Sequence, residues 1–264
     1  MLRKIFFYIL AIGLLTILII YALIDNKLIG FDFPKLTGSY SVGKASYDFT
    51  DPSRKDIFGN DPKANREIVV TVFYPANPPA NAKPAPYAAG KMADILAAKI
   101  HLPAFAFQLI HSHAYENVPI ADGKFPVILF SPGIGTPPLE YTSAVEDLAS
   151  HGYIVAVIYH TYSVPVTVFS DGRVAMINDA GIRSEIEPDG TGEAQINKDR
   201  NLIGSVWVAD ARFTLDQLTK MNDEDLLLKG QIDLAPGRGC CNSTHFIDGL
   251  NMDSARLYPD LETL

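Results

Sequence analysis

The chain has 264 residues, enough for one α/β domain of ordinary size or two small ones. With 48% of residues hydrophobic and 20% charged, a packed core is available and global disorder is excluded. The formal net charge of -8 comes without any basic stripe, which argues against nucleic acid as a partner, because phosphate binding needs clustered Lys and Arg.

The N-terminus comes first. Ile5 to Ile24 reads IFFYILAIGLLTILIIYALI, without a charge, and a helix of that length spans about 30 Å, the thickness of a bilayer's hydrocarbon core. The run is longer than a secretory apolar region, and Tyr21-Ala22-Leu23-Ile24-Asp25 shows no clear small-residue cleavage pattern. Arg3 and Lys4 precede it, which places the N-terminus in the cytoplasm. Residues 1–24 therefore read as an uncleaved signal anchor, a single-pass membrane helix with the following domain on the non-cytoplasmic side. A cleaved signal peptide with secretion, or a buried helix of a soluble protein, are the alternatives. Residues 25–38 read as a linker and 39–264 as one domain.

Ser39 to Phe49 reads as a strand near a sheet edge, and Asp51-Pro52-Ser53-Arg54 as a turn. Glu67 to Tyr74 (EIVVTVFY) is a strand rich in β-branched and aromatic residues, closed by Pro75. Lys91 to Ile110 carries Met92, Ile95, Leu96 and Ile100 at helical spacing and reads as one helix, either packed on the sheet or forming a lipid-facing lid. Phe125 to Ser131 (FPVILFS) and Tyr153 to Tyr159 (YIVAVIY) are continuous apolar runs, as strands buried on both faces require. Between them Pro138 to His151 reads as a helix ended by Gly152, so the three make a right-handed βαβ unit in a parallel sheet. Ser170 to Arg200 reads as a surface excursion, Leu202 to Met221 as a long helix with Val208, Ala211, Leu215 and Leu218 on one face, and a further strand should begin near Gln231.

Ser131-Pro132-Gly133-Ile134-Gly135 ends a buried strand and precedes a helix. Glycines there let backbone approach a substrate carbonyl, and an exposed N–H stabilises a developing oxyanion. A Gly-rich turn after a strand is also a structural commonplace. The adjacent Cys240 and Cys241 make neither a disulfide framework nor a zinc site, and His111 with His113 lacks a nearby carboxylate pair. No metal or other cofactor is expected.

Several segments in order resemble the platelet-activating factor acetylhydrolases, the plasma and type II phospholipase A2-like enzymes. They are Asp51-Pro52-Ser53-Arg54, Arg66 to Ala76, Phe125 to Gly135, Asp147 to Ala156, the helix around Asp210 to Leu218, and Gly230 to Leu234. The resemblance implies an α/β-hydrolase fold, a mostly parallel central sheet with flanking helices. It also implies hydrolysis of a short or oxidised sn-2 acyl ester of a phospholipid by a Ser-Asp-His triad, without calcium. The partners so implied are a phospholipid or short-chain ester and the membrane.

By the same resemblance Ser243 falls on the nucleophile, Asp253 on the triad acid, and the amides of Ile134 and Thr244 on the oxyanion hole. The family's elbow glycines are replaced by Cys241, His245 and Phe246, which return Cβ clashes to a strained strand-to-helix turn. Pro236-Gly237-Arg238-Gly239 makes a poor central strand. Thr244 to Met252 is shorter than the dozen residues a parallel crossover needs. No His follows Asp253, so the base is absent. His111, His113, His151, His160 and His245 read as structural or surface residues. The chain thus reads as an ester hydrolase of this family, frameshifted, internally deleted or truncated at its catalytic end. The alternatives are a catalytically inactive, membrane-anchored lipid-binding or interaction protein, and a more general serine esterase of the dienelactone-hydrolase kind.

Overall fold

The computed structural model describes residues 2–25, 33–101, 103–108, 110–183, 193–224 and 232–233. Two compact units emerge: residues 1–34 with 86–112, and residues 35–85 with everything from 113 onward.

In the first unit, α1 (Leu2–Asp25) is a single helix, with every side chain from Arg3 to Tyr21 exposed. It is long and apolar enough to cross a membrane. The single helix expected over 91–110 is instead two, α2 (Gly90–Ile100) and α3 (Phe105–Gln108). The break has a local cause. His101 turns left-handed at φ 57° and returns its N–H to the Ala97 carbonyl, and Pro103 follows without a donor. The buried positions on α2 are Ala93 and Ala97, at i,i+4.

The second unit holds a six-stranded sheet built from β1 (Ser41–Lys55), β2 (Asn65–Ala76), β3 (Ala114–Glu116), β4 (Phe125–Phe130), β5 (Ile154–Tyr159) and β8 (Ile232–Asp233), in the order β3-β1-β2-β5-β4-β8. A separate hairpin pairs β6 (Val166–Val168) with β7 (Val174–Met176), and β7 falls within the stretch 170–200 expected to be a surface excursion. The sheet is mixed. β4 is parallel to β5 and β8, whereas β2 is antiparallel to β1 and β5. Ile154 to Tyr159 is buried throughout, as its continuous apolar run required, and so is Ile68 to Ala76. In β4 only Phe125 is buried and Pro126 to Phe130 are half-buried, short of the burial on both faces expected of that run.

The predicted βαβ unit is present: β4, a 3-10 turn at Pro138–Tyr141, α4 (Thr142–Ser150) and β5, with Gly152 at φ 92° between helix and strand. The entering chain is clamped to α4. Asp147 accepts the Thr37 N–H at 2.7 Å, and Ser150 accepts the Gly38 N–H at its hydroxyl and the Tyr40 N–H at its carbonyl, both at 3.0 Å. A Cβ at Gly38 would lie 2.1 Å from that carbonyl oxygen, so only glycine fits.

The turn expected at 51–54 is an interruption inside β1. Register runs to Asp51 opposite Arg66 and resumes at Lys55 opposite Asn65. Asp51 folds the intervening residues around its carboxylate, accepting Ser53 N–H at 2.9 Å, Ser53 Oγ at 2.6 Å and Arg54 Nε at 2.6 Å. Such a bulge re-aims a side chain, and the one it turns inward is Arg54. The long helix starts earlier than expected, as α5 (Glu193–Glu224). Its buried face runs through Ile203, Asp210, Thr214 and Leu218. Of the stripe expected on Val208, Ala211, Leu215 and Leu218, Leu218 is buried and Ala211 packs on the core, and the face as a whole is rotated toward a carboxylate. Hydrophobicity alone does not foresee that rotation; it needs the cations opposite. The strand foreseen near Gln231 is β8, pairing Ile232 and Asp233 with Phe125 and Pro126.

Candidate active site

Residues 131–137 leave the C-terminal end of β4 and lead into the 3-10 turn. The loop is held by its own polar groups. Gly133 N–H donates to Tyr141 Oη at 3.3 Å, Thr136 N–H to the Gly133 carbonyl at 3.0 Å, and Gly135 N–H to the Ser163 carbonyl at 2.9 Å. Gly135 sits at φ 72°, a conformation that favours glycine. Among the described residues the Ile134 N–H meets no acceptor. Ile134, expected to supply an oxyanion amide, lies in this loop. Ser243, Thr244 and Asp253 lie outside the described residues, as do Cys240, Cys241, His245 and Phe246.

Beneath that loop lies a polar cluster that sequence reasoning missed. Ser131 Oγ is 3.0 Å from His160 Nε2, and His160 Nδ1 is 2.9 Å from Asp210 Oδ2. Arg66 reaches Asp210 with Nη2 at 2.8 Å and Nε at 3.2 Å, and donates Nη1 to the Thr161 carbonyl at 3.0 Å. Arg54 adds its Nη2 at 2.9 Å to Asp210 Oδ1. Asp56 stands 3.5 Å from Arg66, whose guanidinium lies over the Phe58 ring. The His160 ring stacks on Trp207, 4.1 Å between centroids and 7° from parallel. His160 and Asp210 are 0% exposed and Arg66 is 2% exposed.

The components come from five places in the chain: Arg54 from the β1 bulge, Arg66 from β2, Ser131 and His160 from just beyond β4 and β5, and Asp210 with Trp207 from α5. The signal in the sequence was a carboxylate, Asp210, within the apolar stretch Val206 to Ala211; a charge packed there demands a buried partner.

Burial pulls the His160 imidazole below its ordinary pKa; the Asp210 hydrogen bond and charge oppose this, and the Arg66 and Arg54 charges add to it. For Asp210, burial alone would raise the carboxyl. The His160 hydrogen bond, the Arg66 charge and the Arg66 hydrogen bond overcome it and hold the group far below the carboxylate range. Asp210 is therefore ionised and accepts only, His160 is neutral with its proton on Nδ1, and the Ser131 hydroxyl donates to Nε2.

The linkage follows in sign. His160 titrates near 6.5 when unfolded and lower when folded, so its contribution to stability is complete above about pH 6.5 and falls as pH drops through the folded value. Asp210 contributes above its unfolded value of about 3.9 and loses that contribution only in stronger acid. Unfolding free energy should thus be flat from pH 8 to 7, then fall by up to about 1.4 kcal/mol per pH unit below 6.5. His160→Gln should flatten the slope; a slope unchanged in that variant would show that another group carries it.

Comparison with known proteins converges on one kind of enzyme. A model of the family described as platelet-activating factor acetylhydrolase, isoform II, matches residues 28–179. The chain is 27% identical over 177 residues to the "Probable 1-alkyl-2-acetylglycerophosphocholine esterase" of Arthroderma benhamiae, covering 59% of this chain and 45% of that protein. A solved structure, a ferulic acid esterase from Streptomyces cinnamoneus, is similar at TM-score 0.58 and 27% identity, over 78% of this chain and 53% of that one. The chain spans about half the length of either relative.

Proposed function

Because the chain belongs to the platelet-activating factor acetylhydrolase isoform II family and has an α/β-hydrolase fold, we propose that it is a carboxylic ester hydrolase scaffold for short-acyl phospholipids, altered at its nucleophile elbow. The observation that carries this reading is the Ser131–Gly135 loop at the end of β4, whose Ile134 N–H meets no acceptor among the described residues. Sheet order supports it. β4 lies between β5 and β8, so the loop leaves the sheet beside β8, the strand that by resemblance introduces the family's nucleophile.

In this reading Ser243 stands at the nucleophile position, Asp253 at the acid, and Ile134 with Thr244 at the oxyanion hole. Residues 1–24 anchor a domain formed by 39–264, through a linker at 25–38, with the domain on the non-cytoplasmic side. The second reading is a catalytically inactive, membrane-anchored lipid-binding or interaction protein; in either case Cys241 and His245 crowd a turn that needs glycine.

Two assays on the full chain test this reading. An sn-2 acetyl phospholipid should bind saturably, and hydrolysis of it and of p-nitrophenyl acetate should match a Ser243→Ala control. A Ser243-dependent rate typical of serine esterases would establish an intact elbow and overturn the alteration. Absence of saturable binding would overturn the substrate class. For the anchor, alkaline carbonate should leave the full chain in the membrane pellet, whereas a chain lacking residues 1–24 should appear in the supernatant. Release of the full chain would remove the anchor.

A further inference from the structure

Ser131, His160 and Asp210 touch in the order of a catalytic triad, yet none of the three was assigned a part in the chemistry. What they do follows from their surroundings.

In a nucleophilic relay the aspartate orients the histidine and stabilises the imidazolium that forms when serine gives up its proton. Here the same carboxylate is already engaged at both oxygens. Oδ1 takes Arg54 and Arg66 Nε, and Oδ2 takes Arg66 Nη2 beside His160. An imidazolium would face two guanidiniums across one shared anion, on a ring with no exposed surface that Trp207 covers. Proton transfer from Ser131 into that site is uphill.

The mechanical role is more direct. Ser131 is the first residue after β4, and its hydroxyl is fixed to His160. Four residues on, Gly135 N–H is fixed to the Ser163 carbonyl. Both attachment points belong to one tight turn after β5, in which Ser163 and Val164 return their N–H groups to the His160 carbonyl at 2.9 and 3.2 Å. The loop is thus mounted at two points on a single rigid turn, and Ile134 lies between them. Asp210 braces the turn from α5, itself held by Arg54 from the β1 bulge and Arg66 from β2.

We propose that Ser131, His160 and Asp210 form a positioning strut that sets the Ile134 amide, and that Ser131 and His160 are positioning residues rather than a second nucleophile and base. The proposal rests on the reading of Ile134 as an oxyanion donor, and its test separates the two.

The test uses the full chain in detergent micelles and the variant Ser131→Ala, chosen because Ser131 is exposed and the change leaves the core intact. Amide exchange followed by mass spectrometry should quicken at least about fivefold in peptides covering 131–136, while β2 and β5 exchange as before. A second readout is intrinsic. Trp207 is the only tryptophan of the chain and stacks on His160, so protonation of the ring should quench its fluorescence. Groups facing His160 are Asp210, Arg66 and Arg54, with Asp51 and Asp56 one contact further out, and none is altered in the variant. Since Ser131 donates to the neutral ring, losing it should move the quenching midpoint up by about half a pH unit or more.

Unchanged loop exchange, or a midpoint that stays or falls, would overturn the strut. So would a fluorophosphonate adduct mapped to Ser131, which would make it a nucleophile. The oxyanion reading fails by a different result. Ile134→Pro removes that one amide and should weaken binding of an alkyl phosphonate monoester about tenfold. Unaltered phosphonate binding would remove the oxyanion role while the exchange data still decide the strut.

Discussion

Replacing Asp210 by Asn is expected to cost the second unit about 3–5 kcal/mol of stability, the largest effect of any single polar substitution described. Asp210 is the shared anion for Arg54, Arg66 and His160, and it is fully buried. Asparagine keeps the volume and removes the charge, so Arg66, at 2% exposure, is left with only Asp56 at 3.5 Å as counterion. The amide also brings an NH₂ toward guanidiniums that have no acceptor to offer it. Chemical denaturation monitored by Trp207 fluorescence measures the loss directly. A cost below about 1 kcal/mol would mean that the cluster behaves as an exposed ion pair and that water reaches it. Ala at the same position should be no milder, since it adds a cavity to the unpaired charges.

Gly43→Ala is expected to destabilise by about 1–3 kcal/mol through overpacking. An added Cβ would lie 2.3 Å from Cε2 and 2.6 Å from Cζ of Tyr74, a ring with no exposed surface. The ring has little freedom to give way, because its hydroxyl donates to the Val118 carbonyl at 2.9 Å and it packs among Val72, Ile154 and Ala156 in the central cluster. Gly43 and Tyr74 are cross-strand partners in β1 and β2, so the glycine exists to let a large aromatic lie across its neighbour. A Gly43→Ala, Tyr74→Leu double variant should recover part of the loss by trading ring for space. Thermal midpoints of the two single variants and the double one test this. Strictly additive losses would show that the contact is not the cause.

The elements that a period of two or 3.6 can encode were legible: β2, β4, β5, α4 and the apolar α1 all stand where their patterns place them. The failures share a cause. The 91–110 pattern ran through His101, but helical spacing carries no information about a left-handed residue that ends one helix before Pro103. The Asp51–Arg54 segment does turn, yet it does so inside a strand, because tertiary contacts to Asp210 complete what the local sequence only begins. The candidate site was legible in one part, the Ser131–Gly135 loop, whose glycines speak for themselves. His160, Arg66 and Asp210 are far apart in sequence, and a buried charge looks like a surface charge until its partners are placed around it. The family resemblance had already pointed to Arg66 to Ala76 and to Asp210 to Leu218, without saying that the first residue of each segment meets the other.

That meeting has a consequence for the order in which the chain assembles. β1 with β2, and β4 through α4 to β5, are local units whose partners are close in sequence. Their junction, β2 against β5, closes a longer loop, and Arg66 meets Asp210 across 144 positions. Loop-closure entropy places such contacts late. Until α5 docks, Arg66 has no Asp210 to face, and the half-formed sheet carries an inward cation that keeps water in its core. Docking of α5 supplies that anion, so the packing of the helix and the neutralisation of a cation on β2 depend on one contact.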